Sequence, residues 1–473
     1  MILVHRRTSE TWGRLPTCQN RSRLTICPTL ALGLGVAMAA LVAQAAVPES
    51  YRKMWSDPAV VRRINDGIEK NRKQDATLEL RTAEGKPLTG AKVEVEQTGH
   101  EFLFGCNAFV LGQLDTPEMN RKYEETFVRL FNFATVPFYW EGTEPTQGEL
   151  RYAEGARDIW RRPPADRFIA FARKYGLTLK GQPLLWHAYN PPWLPGDAET
   201  LKRLYQKRFA EIGSRYAKDI QIWDVVNESL ACSEKYPLYT PDLAYVGWAF
   251  KEAHRHFGAE NTLMINETTG HSHRPPQKNL YYRQVQDLLK QGVRVQGIGF
   301  QFHFFSAAAL AKSQSDPTYA PAALLDVYDK FADLKLPLYL TEITIPTPAD
   351  SGEAVQAEVV GNLYRLWFSA AGMAGITWWN LGDGTAVKGE NSAKGGLVDA
   401  NLDPKASYRV LDRLINHEWK TRISTTTDAR GQIRFRGFCG KYSVSVDGPQ
   451  GKQPFEIELA KDQPVSQKLT LRP

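Results

Sequence analysis

The chain has 473 residues, of which 42% are hydrophobic, 11% aromatic and 23% charged. That composition excludes collagen-like, coiled-coil and wholly disordered chains. The formal charge of +7 is unevenly placed: Arg6, Arg7, Arg14, Arg21 and Arg23 precede residue 46 against one acid, Glu10, and the remainder carries 54 basic and 51 acidic residues. A nucleic-acid or other polyanion partner is therefore not indicated.

Residues 1–45 read as a secretory leader. A basic stretch precedes an apolar run from Leu30 to Val42, which ends on Ala43-Gln44-Ala45, the pattern of a signal peptide with a small-residue cleavage site. The run is too short and too rich in Ala and Gly for a membrane span. Secretion to the medium or periplasm is expected, with no stable membrane insertion after leader removal; an uncleaved signal-anchor is the alternative. The mature chain keeps Cys106, Cys232 and Cys439. Three is odd, so at least one thiol stays free or pairs between chains. No CxxC, HExxH, GxGxxG or GxxxxGK[ST] spacing occurs, so neither a metal nor another cofactor is expected.

Tyr51–Gln74 has the pattern of a charged amphipathic helix. Residues 76–99 alternate apolar and polar around Gly85-Lys86-Pro87, which predicts a β-hairpin. Together they form an N-terminal extension over 46–99.

From 100 to 418 short apolar runs alternate with helical patterns. Strands are predicted at Phe102–Phe109, Phe133–Trp140, Leu179–Trp186, Asp219–Glu228, Asn261–Glu267, Gly297–His303, Pro337–Ile343 and Gly375–Leu381. Helices are predicted at Glu199–Tyr216, Asp242–His256, Pro276–Lys290, Pro321–Leu334 and Glu353–Ala371. Strand–helix alternation over eight units predicts an α/β fold, a (β/α)8 TIM barrel, with an open doubly wound sheet as the competing arrangement. After Trp419 the helical period vanishes. Short strands such as Ile433–Phe435 and Tyr442–Val446 predict a small C-terminal β-sandwich-like domain over 419–473, possible partner of the 76–99 hairpin, for sugar binding or packing.

Barrel active sites gather at the C-terminal ends of the strands. Strand four ends in Asn227-Glu228, strand seven carries Thr341-Glu342, strand six ends Gln301-Phe302-His303, strand three Trp186-His187, and strand eight carries Trp378-Trp379. Two carboxylates facing each other beside aromatic platforms suit glycosidic bond cleavage: one acid protonates the leaving oxygen while the other attacks or activates water. A lone Glu at a strand end is more often solvated or ion-paired. Two of them at one rim with Asn, His, Gln and Trp favour the catalytic reading.

Trp223-Asp224-Val225-Val226-Asn227-Glu228 resembles the acid/base signature of glycoside hydrolase family 10, the retaining β-1,4-xylanases. Leu340-Thr341-Glu342-Ile343 resembles its nucleophile strand, and Gly297–His303 its GIGxQxH strand. Trp186-His187, Pro192-Trp193 and the Asp403–Tyr408 stretch also match, in family order over 100–415. The resemblance implies Glu228 as general acid/base and Glu342 as nucleophile. It implies that Asn227 bonds the sugar 2-hydroxyl, that Gln301 and His303 hold Glu342, and that Trp186, His187, Gln182, Trp379 and Tyr139 line the substrate groove. The implied substrate is xylan or xylo-oligosaccharide, as a polysaccharide or oligosaccharide partner.

The chain also departs from the family's pattern. Thr135, Val136 and Tyr139 stand where the family's strand two carries its E-N-x-x-K-W pattern for non-reducing sugars. Gln182 replaces the first His of GHTLVWH, Thr344 the Asp of TELD, and Val387 lies near a missing second Trp. The catalytic centre reads as retained and the sugar subsites as rebuilt. A different β-linked glycan or glycoconjugate is therefore a second reading, and a non-catalytic carbohydrate-binding protein a third.

Overall fold

The computed structural model describes residues 47–349, 352–448 and 451–472, and the expected leader lies outside them. The chain enters through two helices, Glu49–Trp55 and Pro58–Arg72, where the periodicity predicts one over 51–74. The break falls at Asp57-Pro58. Proline lacks the N–H a continuing helix would donate, and the Asp57 carboxylate caps the new start by accepting the Ala59 N–H at 2.7 Å. Lys73 and Gln74 already belong to the next strand, β1 (Lys73–Arg81).

The predicted hairpin is corrected by the sheet topology. The chain does reverse near Gly85 (φ 81°), and the Leu88 N–H reaches the Leu80 carbonyl at 2.9 Å. Yet β1 and β2 (Lys92–His100) belong to different sheets. Leu78 and Leu80 on β1 and Val93 and Val95 on β2 share one apolar core. Spreading the strands over two sheets lets both rows point inward, which a flat hairpin cannot do.

Eight parallel strands follow: β3 (Leu103–Asn107), β4 (Phe133–Pro137), β5 (Thr178–Gln182), then, after the short β6 (Leu185–Trp186), β7 (Ile222–Asn227), β8 (Thr262–Glu267), β9 (Gly297–His303), β10 (Leu338–Thr344) and β11 (Met373–Trp378). β3 pairs with β11 and β5 with β7, so the sheet closes on itself as a barrel. The open-sheet alternative is thereby excluded. The predicted strand 179–186 splits because Pro183 has no N–H for the ladder; Leu185-Trp186 then resumes pairing with β7. Helices separate the strands at Pro117–Leu130, Ala165–Tyr175, Ala198–Tyr216, Ala244–Ala253, Leu280–Lys290, Pro321–Ala332 and Glu353–Ser369, with Ala406–Arg413 after the last. The predicted helix 276–290 starts as a short 3₁₀ turn, and Asn279 caps Leu280–Lys290 by accepting the Tyr282 N–H at 2.9 Å.

Inside the barrel, the strand starts are sealed by an apolar layer of Phe133, Ile222, Met264 and Tyr339, with Leu103 and Ala374 packed against it. Above that floor the interior turns polar. Lys180, Gln182, Asp224, Asn266 and Thr341 are at most 1% exposed, and they support the mouth.

Five strands complete the chain: β12 (Arg422–Thr426), β13 (Gln432–Phe438), β14 (Gly440–Gly448), β15 (Gly451–Leu459) and β16 (Val465–Thr470). They join β1 and β2 in two sheets, ordered β13-β1-β16 and β12-β2-β14-β15. The sandwich is thus built from both ends of the chain. It is anchored to the barrel through Arg72, whose guanidinium donates to the Phe368 carbonyl and, at 2.7 Å, to the Ala370 carbonyl. Trp419 stacks on Phe368 at 4.1 Å.

Candidate active site

Two irregularities in strand register aim the site. β7 shifts against β8 between Asp224 and Val226, and β10 shifts against β9 between Leu340 and Glu342. A bulge breaks strict alternation and lets sequence neighbours face one side. Thr341 and Glu342 illustrate this, because both reach the same amide, that of Asn266. The Thr341 hydroxyl donates to Asn266 Oδ1 at 2.6 Å, while Asn266 Nδ2 donates to Glu342 Oε1 at 2.9 Å and to Asn227 Oδ1 at 2.8 Å. With its oxygen occupied by Asn266, Asn227 has its own Nδ2 free to donate elsewhere. Gly299 sits beneath this junction. A Cβ there would lie 2.5 Å from Asn266 Oδ1 and 2.8 Å from the Thr341 methyl.

Glu342 is 5% exposed and ringed by donors. Its Oε1 accepts from Gln182 at 2.7 Å, Asn266 at 2.9 Å and Gln301 at 3.2 Å, and its Oε2 meets His303 Nε2 at 3.2 Å. Burial acts to raise its pKa. The His303 hydrogen bond and charge, the Lys180 charge and the Gln182 amide outweigh burial, so Glu342 is held below the usual carboxylate range. His303 is steadied in turn by Thr344 Oγ1, 2.9 Å from its Nδ1. The group that faces His303 here is thus a hydroxyl, at the position where the sequence departs from the TELD pattern.

Glu228 follows β7 in a left-handed backbone conformation (φ 56°), pinned by its N–H to the Asn266 carbonyl at 2.9 Å. Left-handed backbone is uncommon for a residue with a side chain and is tolerated where the surroundings enforce it. Glu228 Oε1 accepts from Gln301 at 2.7 Å and Oε2 from Trp186 Nε1 at 3.1 Å. Burial, then the negative charge of Glu342, push its pKa up. The two carboxyls are thus driven in opposite directions, the condition for one acid and one base at a single pH.

A buried ion pair lies one step deeper. Lys180 Nζ donates to Asp224 Oδ2 at 2.6 Å and to Gln182 Oε1 at 2.7 Å, which fixes the Gln182 amide toward Glu342. Beside Glu228, the carboxylate of Glu267 accepts the Leu230 N–H at 2.9 Å and the Thr268 N–H at 2.8 Å, bracing the loop that carries Glu228.

The predicted residues fall into two groups. Glu228, Glu342, Gln301, His303, Trp186, Trp379 and Tyr139 line one cavity of about 350 Å³. Gln182 and Asn227 are 1% exposed and lie just behind its lining, Gln182 bonded to Glu342 and Asn227 to Asn266. His187 lies outside it, its ring 6.4 Å from that of Tyr236. Of the departures, Thr135 is wholly buried, while Tyr139 and Val387 reach the cavity.

Sequence reasoning missed Asn266, Lys180, Asp224, Glu267, Arg161, Arg162, Tyr189 and Phe305. Asn266-Glu267 ends its strand as Asn227-Glu228 ends another, and that repeated pair was the available signal. Phe305 stacks on His303 at 4.7 Å, and Tyr189 packs 5.1 Å from Trp186.

The chain is 26% identical over 419 residues to "Anti-sigma-I factor RsgI6" of Acetivibrio thermocellus, covering 86% of this chain and 48% of that one. It is 26% identical over 395 residues to "Endo-1,4-beta-xylanase 2" of Arabidopsis thaliana, covering 80% and 33%. It thus spans about half or less of the length of these two relatives. Native xylanase 10B of Thermotoga maritima shares the fold, with a TM-score of 0.55, 23% identity, and coverage of 67% of this chain and 96% of that one. The family model for glycosyl hydrolase family 10 matches residues 109–413, which includes every barrel strand but the first and both mouth carboxylates, and the chain belongs to that family.

Proposed function

We propose that this protein is an exported retaining β-glycoside hydrolase that cleaves β-1,4-xylosidic bonds in xylan or xylo-oligosaccharides. The observation that carries the reading is the Gln301 amide bridge. Gln301 Nε2 lies 2.7 Å from Glu228 Oε1 and 3.2 Å from Glu342 Oε1, so those oxygens are no more than 5.9 Å apart. Retaining enzymes hold their carboxyls about 5–5.5 Å apart, whereas inverting ones leave about 6.5–9.5 Å for a water.

In this reading Glu228, kept protonated by burial and by its negative neighbour, gives its proton to the glycosidic oxygen. Glu342, ionised and oriented by Gln182, Asn266, Gln301 and His303, attacks the anomeric carbon, and the aglycone leaves. The Glu342 charge is consumed in the ester, which removes one cause of Glu228's raised pKa. Glu228, left as a carboxylate once its proton has gone to the aglycone, is therefore stable in that form. It takes a proton from water as the water oxygen attacks the anomeric carbon and displaces Glu342, which restores both carboxyls and gives net retention. Asn227, whose oxygen is already bonded to Asn266, offers its N–H to the sugar 2-hydroxyl. The xylanase relatives and the leader pattern support the substrate and the export.

The test is reducing-sugar release from a panel of β-glycans by the chain beginning at Ala46, with Glu342→Ala as the blank and NMR of the first-formed anomer. Release from xylan with the β-anomer appearing first is the expected result. An α-anomer first, or wild-type rates in Glu342→Ala, would refute the assignment.

A further inference from the structure

The loop after β4 carries Arg161-Arg162 into the candidate active site. Both line the cavity that holds Glu228 and Glu342, yet they are only 3% and 8% exposed. Arg161 takes a left-handed backbone conformation (φ 62°), and its N–H is held by Gln113 Oε1 at 2.8 Å. Its Nη1 donates to Asn380 Oδ1 at 2.6 Å and to the Thr385 carbonyl. Arg162 Nη1 donates to the Arg161 carbonyl at 2.9 Å, and its guanidinium lies 3.9 Å from the Tyr139 ring centroid.

The rest of each guanidinium is unpartnered. Among the described residues neither side chain makes a salt bridge, both Nε atoms are buried without a hydrogen-bond acceptor, and neither Nη2 makes a hydrogen bond. Burying a charge without an opposite partner is costly, and two adjacent like charges more so. The nearby acids answer them only in part. Glu390 favours the charge of both and Glu141 that of Arg162 through space, against the larger cost of burial, but neither makes a direct ion pair with them, and Glu390 Oε2 accepts from Asn380 Nδ2 at 3.0 Å. Nor does Glu342 require them, since His303 and Lys180 are the cations that act on it most. Two guanidinium forks with free donors match a planar carboxylate. Beside them Tyr139 and Trp379 line the same cavity, and Phe109 packs edge-on behind both, at 5.7 and 5.1 Å.

We propose that Arg161 and Arg162 form a subsite for the carboxylate of a uronic-acid residue, so that the preferred substrate is an acidic β-glycan. The proposal rests on the glycosidase reading above and narrows its substrate class. The neutral sugars of unsubstituted xylan leave the Arg pair unanswered. Tyr139 stands where the family's E-N-x-x-K-W pattern is expected and serves as the face on which Arg162 stacks.

The experiment measures binding and turnover with probe pairs that differ only in charge: 4-nitrophenyl β-D-glucuronide against the β-D-glucoside, and the galacturonide against the galactoside. Calorimetric binding uses Glu342→Ala, and hydrolysis uses the wild-type chain. At least one acidic probe should bind about tenfold or more tightly than its neutral twin, the scale of one charged hydrogen-bonded pair. In Arg162→Gln and in Arg161→Gln that ratio should fall to within about threefold of one. Arg162→Lys, which keeps the charge but loses the fork, should retain part of it. Equal affinity for acid and neutral probes in the folded Glu342→Ala chain would overturn the proposal, as would a preference that survives both Gln variants. Xylan hydrolysis without acid preference refutes this subsite and leaves the glycosidase reading standing. Acid preference in binding with no hydrolysis of any probe does the reverse.

Discussion

Removing the charge of Lys180 should damage both stability and the pH response of catalysis. Lys180 and Asp224 are both fully buried, with side chains 1% and 0% exposed. Asp224 Oδ2 accepts from Lys180 at 2.6 Å, while Oδ1 has no hydrogen-bond partner. Even with the lysine present, burial raises the Asp224 pKa to about 6. Lys180→Met leaves that carboxylate with no partner, and breaking a buried pair from one side costs ~3–5 kcal/mol. Lys180→Met/Asp224→Leu removes both charges, so most of that loss should be recovered. Urea denaturation of the wild type, both single variants and the double variant yields the coupling energy. The catalytic effect is separate. Without Nζ, Gln182 Oε1 loses its donor and Glu342 loses a positive neighbour, so the Glu342 pKa should rise and the acidic limb of the kcat/KM profile should move up. A Lys180→Met variant within ~1 kcal/mol of wild type, with an unmoved acidic limb, would refute the reasoning.

Three further outcomes follow from the same geometry. The kcat/KM profile should be bell-shaped, its acidic limb set by Glu342, held low by His303 and Lys180 against burial, and its basic limb by Glu228, held high by burial and by Glu342; Glu228→Gln should abolish the basic limb along with activity on substrates whose leaving group needs protonation. Glu267 has its pKa raised by burial to about 7, so its contribution to stability is complete below ~4.5 and is lost as pH rises through 7. The loss is ~3 kcal/mol at most, and Glu267→Gln should flatten that decline in denaturation curves between pH 4.5 and 8. Gly299→Ala places a Cβ 2.5 Å from Asn266 Oδ1, so it should displace Asn266, cost ~1–3 kcal/mol and lower kcat more than it raises KM.

The barrel and its two carboxylates were legible because both rest on short-range pattern. Strand–helix alternation fixes the architecture, and polar residues that end apolar strands stand out. What escaped depends on registers and partners that no local pattern encodes. Lys180 and Gln182 sit two apart on one strand face, but only closure of β5 against β7 brings Asp224 to them. Asn266 ends a strand that reads as apolar, and its role arises from a bulge in β10. Arg161 and Arg162 lie on a loop without periodicity. The turn at Gly85 was readable, yet the partners of β1 and β2 come from strands more than 300 residues further along the chain.

The departures from the family pattern share a direction around Glu342. Gln182 and Thr344 replace a His and an Asp, so titratable groups give way to an amide and a hydroxyl. Three amides now bond Oε1, and none of them changes charge with pH. The fourth partner is His303, whose other nitrogen faces a hydroxyl that can either donate or accept. A carboxylate in that position would accept only, and would favour the protonated ring. The Thr344 hydroxyl is therefore a weaker but less selective support. Thr344→Val, which keeps the shape and removes the bond, should cost ~1 kcal/mol of orientation, a fall of roughly fivefold in kcat/KM. Thr344→Asp should bias His303 toward imidazolium and push the Glu342 limb to lower pH. If Thr344→Val leaves kcat/KM intact, the Thr344 bond is dispensable and the packing of His303 on Phe305 at 4.7 Å is enough to hold the ring against Glu342.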